Sequence, residues 1–176
     1  MVLEEQPDKK IAVIDSRSAG SELVLLVKKI CELIESGADF ETVVEKAELY
    51  SRHTHVVFAL SSFNNLVKNG RMSKIVGFVA NKLGFWGIGI GSEQGTIEIK
   101  QKIRGSKKAL DAIIEDMKER GYNCGKVVIS HCRNAEFAES VKSAIQSVWD
   151  KAEVKIVRAR GLCSYYAEKG GLIIGF

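Results

Sequence analysis

Apolar positions along this chain follow two rhythms. Short apolar runs at 11–15 ("IAVID"), 55–60 ("HVVFAL"), 85–90 ("FWGIGI"), 126–130 ("KVVIS"), 153–159 ("EVKIVRA") and 171–176 ("GLIIGF") read as strands. A seventh strand, 96–103 ("TIEIKQKI"), alternates Ile97, Ile99 and Ile103 with polar residues, as a half-exposed strand does. It pairs with 85–90 through a turn holding Gly91 and Gly95. Between the runs, apolar residues recur at helical spacing. Leu23, Leu26, Val27, Ile30, Cys31 and Ile34 mark a helix over 19–36, stopped by Gly37. Asp39 caps a second helix with the stripe Phe40, Val43, Val44, Ala47 and Tyr50. A short helix through Phe63–Val67 ends at Asn69-Gly70, and Ser73 caps the next, over 74–82. Helix 106–120, capped by Ser106, buries Leu110, Ile113, Ile114 and Met117; helix 134–149 buries Phe137, Val141, Ala144, Ile145 and Val148. Strands alternating with amphipathic helices place the chain in the α/β class, with a mixed sheet.

Composition narrows the picture a little. The 176 residues are 45% apolar and 27% charged, which suits one globular domain. No run of 18 apolar residues is present, so no membrane span is expected. The opening "MVLEEQPDKK" lacks the apolar core of a signal peptide. Four cysteines (Cys31, Cys124, Cys132, Cys163) without that signal imply reduced thiols and a cytoplasmic protein. They form no Cys-x-x-Cys pair, so no metal site is expected. The net charge of +4 suits an acidic ligand without naming one.

Candidate chemistry gathers in a few segments. In "NNLVKNGRMSKIVGFVANKLG" (64–84), Gly70 can end the short helix and Arg71 then stands in the turn before Ser73. A guanidinium beside a helix start receives a carboxylate or phosphate, and the apolar run behind it can wall a cavity. The same residues also fit a solvated turn arginine beside a core helix. In "GLCSYYAEKGG" (161–171), Cys163 or Ser164 can face a ligand, or the thiol can simply pack in a helix. His131 and Cys132 end a strand, but adjacent strand residues point to opposite faces, which disfavours a shared metal. Arg104, Lys107 and Lys108 form a basic cluster without aromatic stacking residues, so nucleic acid is not expected as a partner. "DSRSAG" (15–20) reads first as a turn.

Four segments, "VIDSRSA", "FALSSFNNLVKNGRMSK", "GTIEIKQKIRGSKKAL" and "GLCSYYAEKGGLIIGF", together resemble the DegV family of bacterial fatty-acid-binding proteins. The resemblance covers the family's C-terminal two-thirds. It implies a two-layer α/β unit with a mixed sheet of about six strands, the family's N-terminal α/β/α unit being mostly missing. Residues 1–18 would be a remnant of that unit, with 11–15 as an orphan strand, and 19–176 the lipid-binding domain. The implied function is to hold a long-chain fatty acid and, in some members, present its carboxylate to a fatty-acid kinase. The carrier performs no catalysis and takes no cofactor beyond the bound lipid. Residue by residue, the implied head-group contacts are Arg71, Ser73, Cys163 and Ser164. The implied acyl wall is the Phe58-Ala59 pair, Ile75, Phe78, Val79 and Leu83. Cys163 stands nearest to a histidine common in the family. Ser21, Glu22 and Leu23 replace a glycine-rich segment, where Glu22 near an anion would be unhelpful unless it points to water. The alternative is a truncated member that binds no lipid alone and acts through protein contacts.

Overall fold

Six strands among the described residues form one mixed sheet in the order β3-β2-β1-β6-β4-β5. The computed structural model describes residues 5, 6, 8–72 and 84–176. The elements are α1 (Ser21–Glu35), α2 (Phe40–Ser51), β1 (Val56–Leu60), α3 (Asn64–Lys68), β2 (Phe85–Gly91) and β3 (Ile97–Arg104). They continue with α4 (Ser106–Glu119), β4 (Lys126–His131), α5 (Ala135–Val148), β5 (Glu153–Arg158), α6 (Gly161–Ala167) and β6 (Leu172–Gly175). All neighbours pair antiparallel except β4 and β5. The helix expected at 74–82 lies outside the described residues, together with Ser73, Ile75, Phe78, Val79 and Leu83.

Strand β1 has partners on both edges, with Val57 opposite Ile90 and Ile174. Its side chains therefore face two cores. Val57 and Ala59 join Trp86, Ile88, Ile129 and Ile174 under α4 and α5. Phe58 and Leu60 join Phe63, Leu66 and Ala167 under α3 and α6. Helix α1 also rests on this second face, against β4 and β6. The glycines of "FWGIGIG" have a steric purpose here. A Cβ on Gly87 would lie 2.2 Å from the Phe63 ring, and one on Gly89 would lie 2.4 Å from the Phe58 ring.

Four sequence expectations are corrected. Residues 11–15 form no strand. A strand persists only where a ladder satisfies its backbone groups, and Val13, 86% exposed, gains nothing from burial there. The face of α1 is rotated from the expected stripe. It buries Ser21, Glu22, Leu25, Leu26 and Leu33, while Leu23, Val24, Val27 and Ile34 are exposed. On β3, a register shift opposite Ile88 and Gly89 breaks the alternation. Ile97 and Ile99 face the second core while Ile103 faces α4. Helix α4 has Gly105, not Ser106, at its cap position, with no side-chain cap bond. Asp39 caps α2 as expected, accepting from the Thr42 amide at 2.9 Å.

Candidate functional site

Arg71 is placed by the end of α3. Gly70 takes φ 66°, its N–H donates to the Val67 carbonyl at 3.2 Å, and the Arg71 N–H donates to the Leu66 carbonyl at 2.9 Å. This pair of crossed bonds is the Schellman closure, which needs a left-handed residue where Gly70 stands. The Arg71 side chain is exposed. Met72, next to it, packs against the core of Phe58, Leu60, Phe63 and Leu66. An exposed cation thus follows the end of α3, next to a residue packed on an apolar cluster.

Helix α6 is stitched to α3 by polar contacts. Asn65 Nδ2 donates to the Tyr165 carbonyl at 2.8 Å, and Asn69 Nδ2 donates to the Tyr165 hydroxyl at 3.0 Å. The Glu168 carboxylate accepts from the Asn65 amide at 2.9 Å and from the Ser62 hydroxyl at 2.6 Å. Ser61 Oγ donates to the Lys169 carbonyl at 3.1 Å. The segment carrying Arg71 and the segment carrying Cys163 and Ser164 are therefore joined at one corner. The sequence singles out the second segment for its thiol and hydroxyl and gives little sign of Glu168, an acidic residue two positions before a Gly-Gly pair.

The other expected site residues divide. Cys163 is half-buried, and its sulfur lies 3.7 Å from where a Cβ on Gly20 would stand. Ser164 turns its hydroxyl back onto the Gly161 carbonyl at 2.8 Å, within its own helix. Of the Phe58-Ala59 pair, Phe58 faces the Arg71 corner, while Ala59 belongs to the core under α4. His131 is buried and its Nδ1 accepts from the Asn134 amide at 3.1 Å. Cys132 Sγ instead leans on the Ser164 carbonyl at 3.7 Å, so the two neighbours do point apart. Among the described residues, no three His, Cys, Asp or Glu side chains gather as they would around a metal ion. None of their helices is long and apolar enough to cross a membrane.

A hollow of about 960 Å³ lies at the other end of β1, lined by Asp15, Arg17, Glu22, His55, Glu98 and Arg120 among others. Glu22 does not point to water. It is buried, accepting from Thr54 Oγ1 at 2.9 Å and from the Ser18 hydroxyl. The start of α1 presses on Gly175 of β6 and carries Glu22 inward. Burial pushes the Glu22 carboxyl above its ordinary value of 4.5, against the opposing pull of the Ser18 and Thr54 hydroxyls and the Arg120 charge. An acid with a raised folded-state pKa favours the fold fully below the unfolded value and loses that contribution as pH rises through the folded value. Glu22→Gln is therefore expected to gain stability over the parent protein between about pH 4 and pH 7, with little gain at the acid end. Urea unfolding at both pH values checks this. A difference between the two proteins that does not change with pH contradicts it.

The DegV family model, described as "Uncharacterised protein, DegV family", matches residues 1–176. A DegV domain-containing protein of Streptococcus pyogenes serotype M1 is 45% identical over 175 residues, covering 99% of this chain and 62% of that protein. The Fatty Acid Kinase (Fak) B3 protein of Streptococcus pneumoniae, solved loaded with linoleic acid, is 44% identical with a TM-score of 0.94, over 99% of this chain and 62% of that one. A DegV family protein from Eubacterium eligens, solved loaded with heptadecanoic acid, is 37% identical with the same TM-score of 0.94, over 99% and 63%. The chain therefore spans less than two thirds of the length of these relatives, 62% of the first. The match of the family model over residues 1–176 carries the conclusion: the chain belongs to the DegV family.

Proposed function

We propose that this chain binds a long-chain fatty acid, with Arg71 at the carboxylate and the second core of the sheet beside the hydrocarbon. The observation that carries this reading is the backbone likeness, over 99% of the chain, to two proteins solved with fatty acids bound. The local chemistry agrees with it. A guanidinium forms charge-assisted bonds to a carboxylate, and the apolar cluster below Arg71 offers hydrocarbon a dry surface. Ser73, Cys163 and Ser164 complete the proposed head-group set, and Phe58, Ile75, Phe78, Val79 and Leu83 the proposed acyl wall. Residues 1–18 belong on this reading to a unit outside the lipid-binding domain, 19–176. The domain acts as a carrier in the cytoplasm and does not itself catalyse; its client is a fatty-acid kinase, which acts on the presented carboxylate.

A second reading, that the chain binds no lipid unaided and acts through protein contacts, is favoured by one observation. Leu23, Val24, Val27 and Ile34 expose a continuous apolar face of α1. If that face is covered by a further part of the site, lipid affinity depends on supplying it, since each exposed methylene forgoes about 0.8 kcal/mol.

Mass spectrometry of an organic extract tests the two readings together. The purified chain is incubated with oleate, alone and with the N-terminal part of the S. pyogenes relative. The proposed function predicts retained fatty acid in at least the second mixture; an empty protein in both contradicts it. Arg71→Ala is expected to weaken oleate binding by about 2 kcal/mol, the scale of a hydrogen bond to a charged group. Unchanged affinity in a calorimetric titration removes Arg71 from the site.

A further inference from the structure

The turn between α6 and β6 holds a non-glycine residue in a conformation that favours glycine. Glu168 has φ 52° and ψ 176°. Side chains rarely adopt this region, which is close to glycine-only, and residues held there usually do so for a functional reason. Gly170 and Gly171 follow after Lys169, so the turn has small residues at hand. Glutamate at 168 keeps a strained backbone that glycine would relax.

What the side chain does in return is specific. Its two carboxylate oxygens accept from the Asn65 amide at 2.9 Å and the Ser62 hydroxyl at 2.6 Å, across 103 and 106 residues of sequence. They serve the first turn of α3, whose cap position, Phe63, offers no side-chain acceptor. A helix the length of Asn64–Lys68 has almost no stability of its own, so outside contacts decide how it sits. The far end of the same short helix is the closure that delivers Arg71. Asn65 and Asn69 add a second seam to Tyr165 through their side chains, while the backbone amide of Asn65 donates to Glu168.

We propose that Glu168 is a positioning residue: its carboxylate clamps the start of α3 to the α6–β6 turn and thereby sets the place of Arg71 over the carboxylate site. This rests on the head-group role proposed for Arg71. The strain at Glu168 is retained because glycine, though easier for the backbone, would release the helix.

Two variants and two measurements on the full chain, with the N-terminal part of the S. pyogenes relative present, test the proposal. Glu168→Gly removes strain and clamp together; Glu168→Gln keeps the strain and removes the charge. Hydrogen exchange at the Asn65 amide reads the clamp without any lipid. Affinities for oleate and for oleyl alcohol separate the carboxylate contact from the hydrocarbon contact. In Glu168→Gly, Asn65 is expected to exchange about tenfold faster and oleate to bind about tenfold more weakly. Oleyl alcohol affinity and the thermal midpoint are expected to hold or rise. Glu168→Gln is expected to fall between this variant and the parent protein. Unchanged exchange at Asn65 overturns the clamp whatever the lipid does. Faster exchange with unchanged oleate affinity overturns the link to Arg71 while leaving the proposed function standing. A parent protein that binds neither lipid overturns the proposed function and, with it, the role of Glu168. Equal loss of oleate and alcohol also overturns the proposal, since a merely loosened fold would weaken both.

Discussion

Replacing Asp116 with alanine is expected to destabilise the fold by about 3–5 kcal/mol, the range for breaking a buried ion pair from one side. Asp116 is 4% exposed, on the inner side of α4. One carboxylate oxygen accepts from Lys100 Nζ at 3.2 Å and the other from Arg120 Nε at 3.1 Å. Its removal takes this carboxylate from both cations and leaves Lys100 its bond to Glu119 at 2.9 Å. Arg120, 20% exposed on its side chain, has less water to turn to than Lys100 at 36%. The shift in β3 register makes this residue matter more than its neighbours. It breaks the strand's alternation next to Lys100, which bonds to Asp116 and Glu119 of α4. Asp116 therefore ties the irregular edge strand to the helix layer. Lys100→Met is expected to cost about 1 kcal/mol or less, because a half-exposed pair contributes little. Urea unfolding of both variants checks the contrast; equal losses contradict the assignment of Asp116 as the centre of the network.

The second large effect belongs to Gly175. A Cβ there would lie 2.4 Å from the backbone nitrogen of Glu22 and 2.6 Å from the carbonyl carbon of Ser21. Both are backbone atoms, so no side chain can swing aside. Gly175→Ala must push the start of α1 off β6, at a cost of about 3 kcal/mol, the upper end for overpacking. The displacement also pulls on Ser21, whose hydroxyl bonds to Ser130 Oγ at 2.8 Å and to the Ile173 carbonyl at 2.7 Å. Thermal unfolding should show the loss, and amide exchange in the first turn of α1 should rise more than in α5. A variant as stable as the parent contradicts the close approach.

Much of the architecture was legible because the cause of each strand is local. The runs "HVVFAL", "KVVIS" and "GLIIGF" are apolar on both sides, and each is flanked by a helix or strand that covers it. "IAVID" carries the same local signal but has no ladder partner among the described residues, and no periodicity can report the presence of a partner. Helix α1 misled for a related reason. Its sequence is apolar over more than one face, so the stripe Leu23, Val27 and Ile34 was as good a candidate as Leu25, Leu26 and Leu33. The choice was made by Gly175 and Ser130, more than 100 residues away.

Of the candidate site, the turn before Arg71 was legible. The Asn-Gly-Arg turn is a local device, and Gly70 takes the positive φ that the sequence required. Glu168 was not legible, because its role depends on a long-range bond and an unusual φ that composition does not encode. The burial of Glu22 was not legible either, because nothing nearby in sequence announces Thr54 as its partner.

The central claim is that Arg71 receives the carboxylate of a fatty acid. The most direct measurement is a solved complex of the chain with oleate, formed with the N-terminal part of the S. pyogenes relative. The account predicts an oleate carboxylate oxygen about 2.8 Å from the Arg71 guanidinium, with the hydrocarbon running beside Phe58 and Met72. A carboxylate seated elsewhere, as in the hollow beside Arg17 and Arg120, with Arg71 still in solvent, contradicts it.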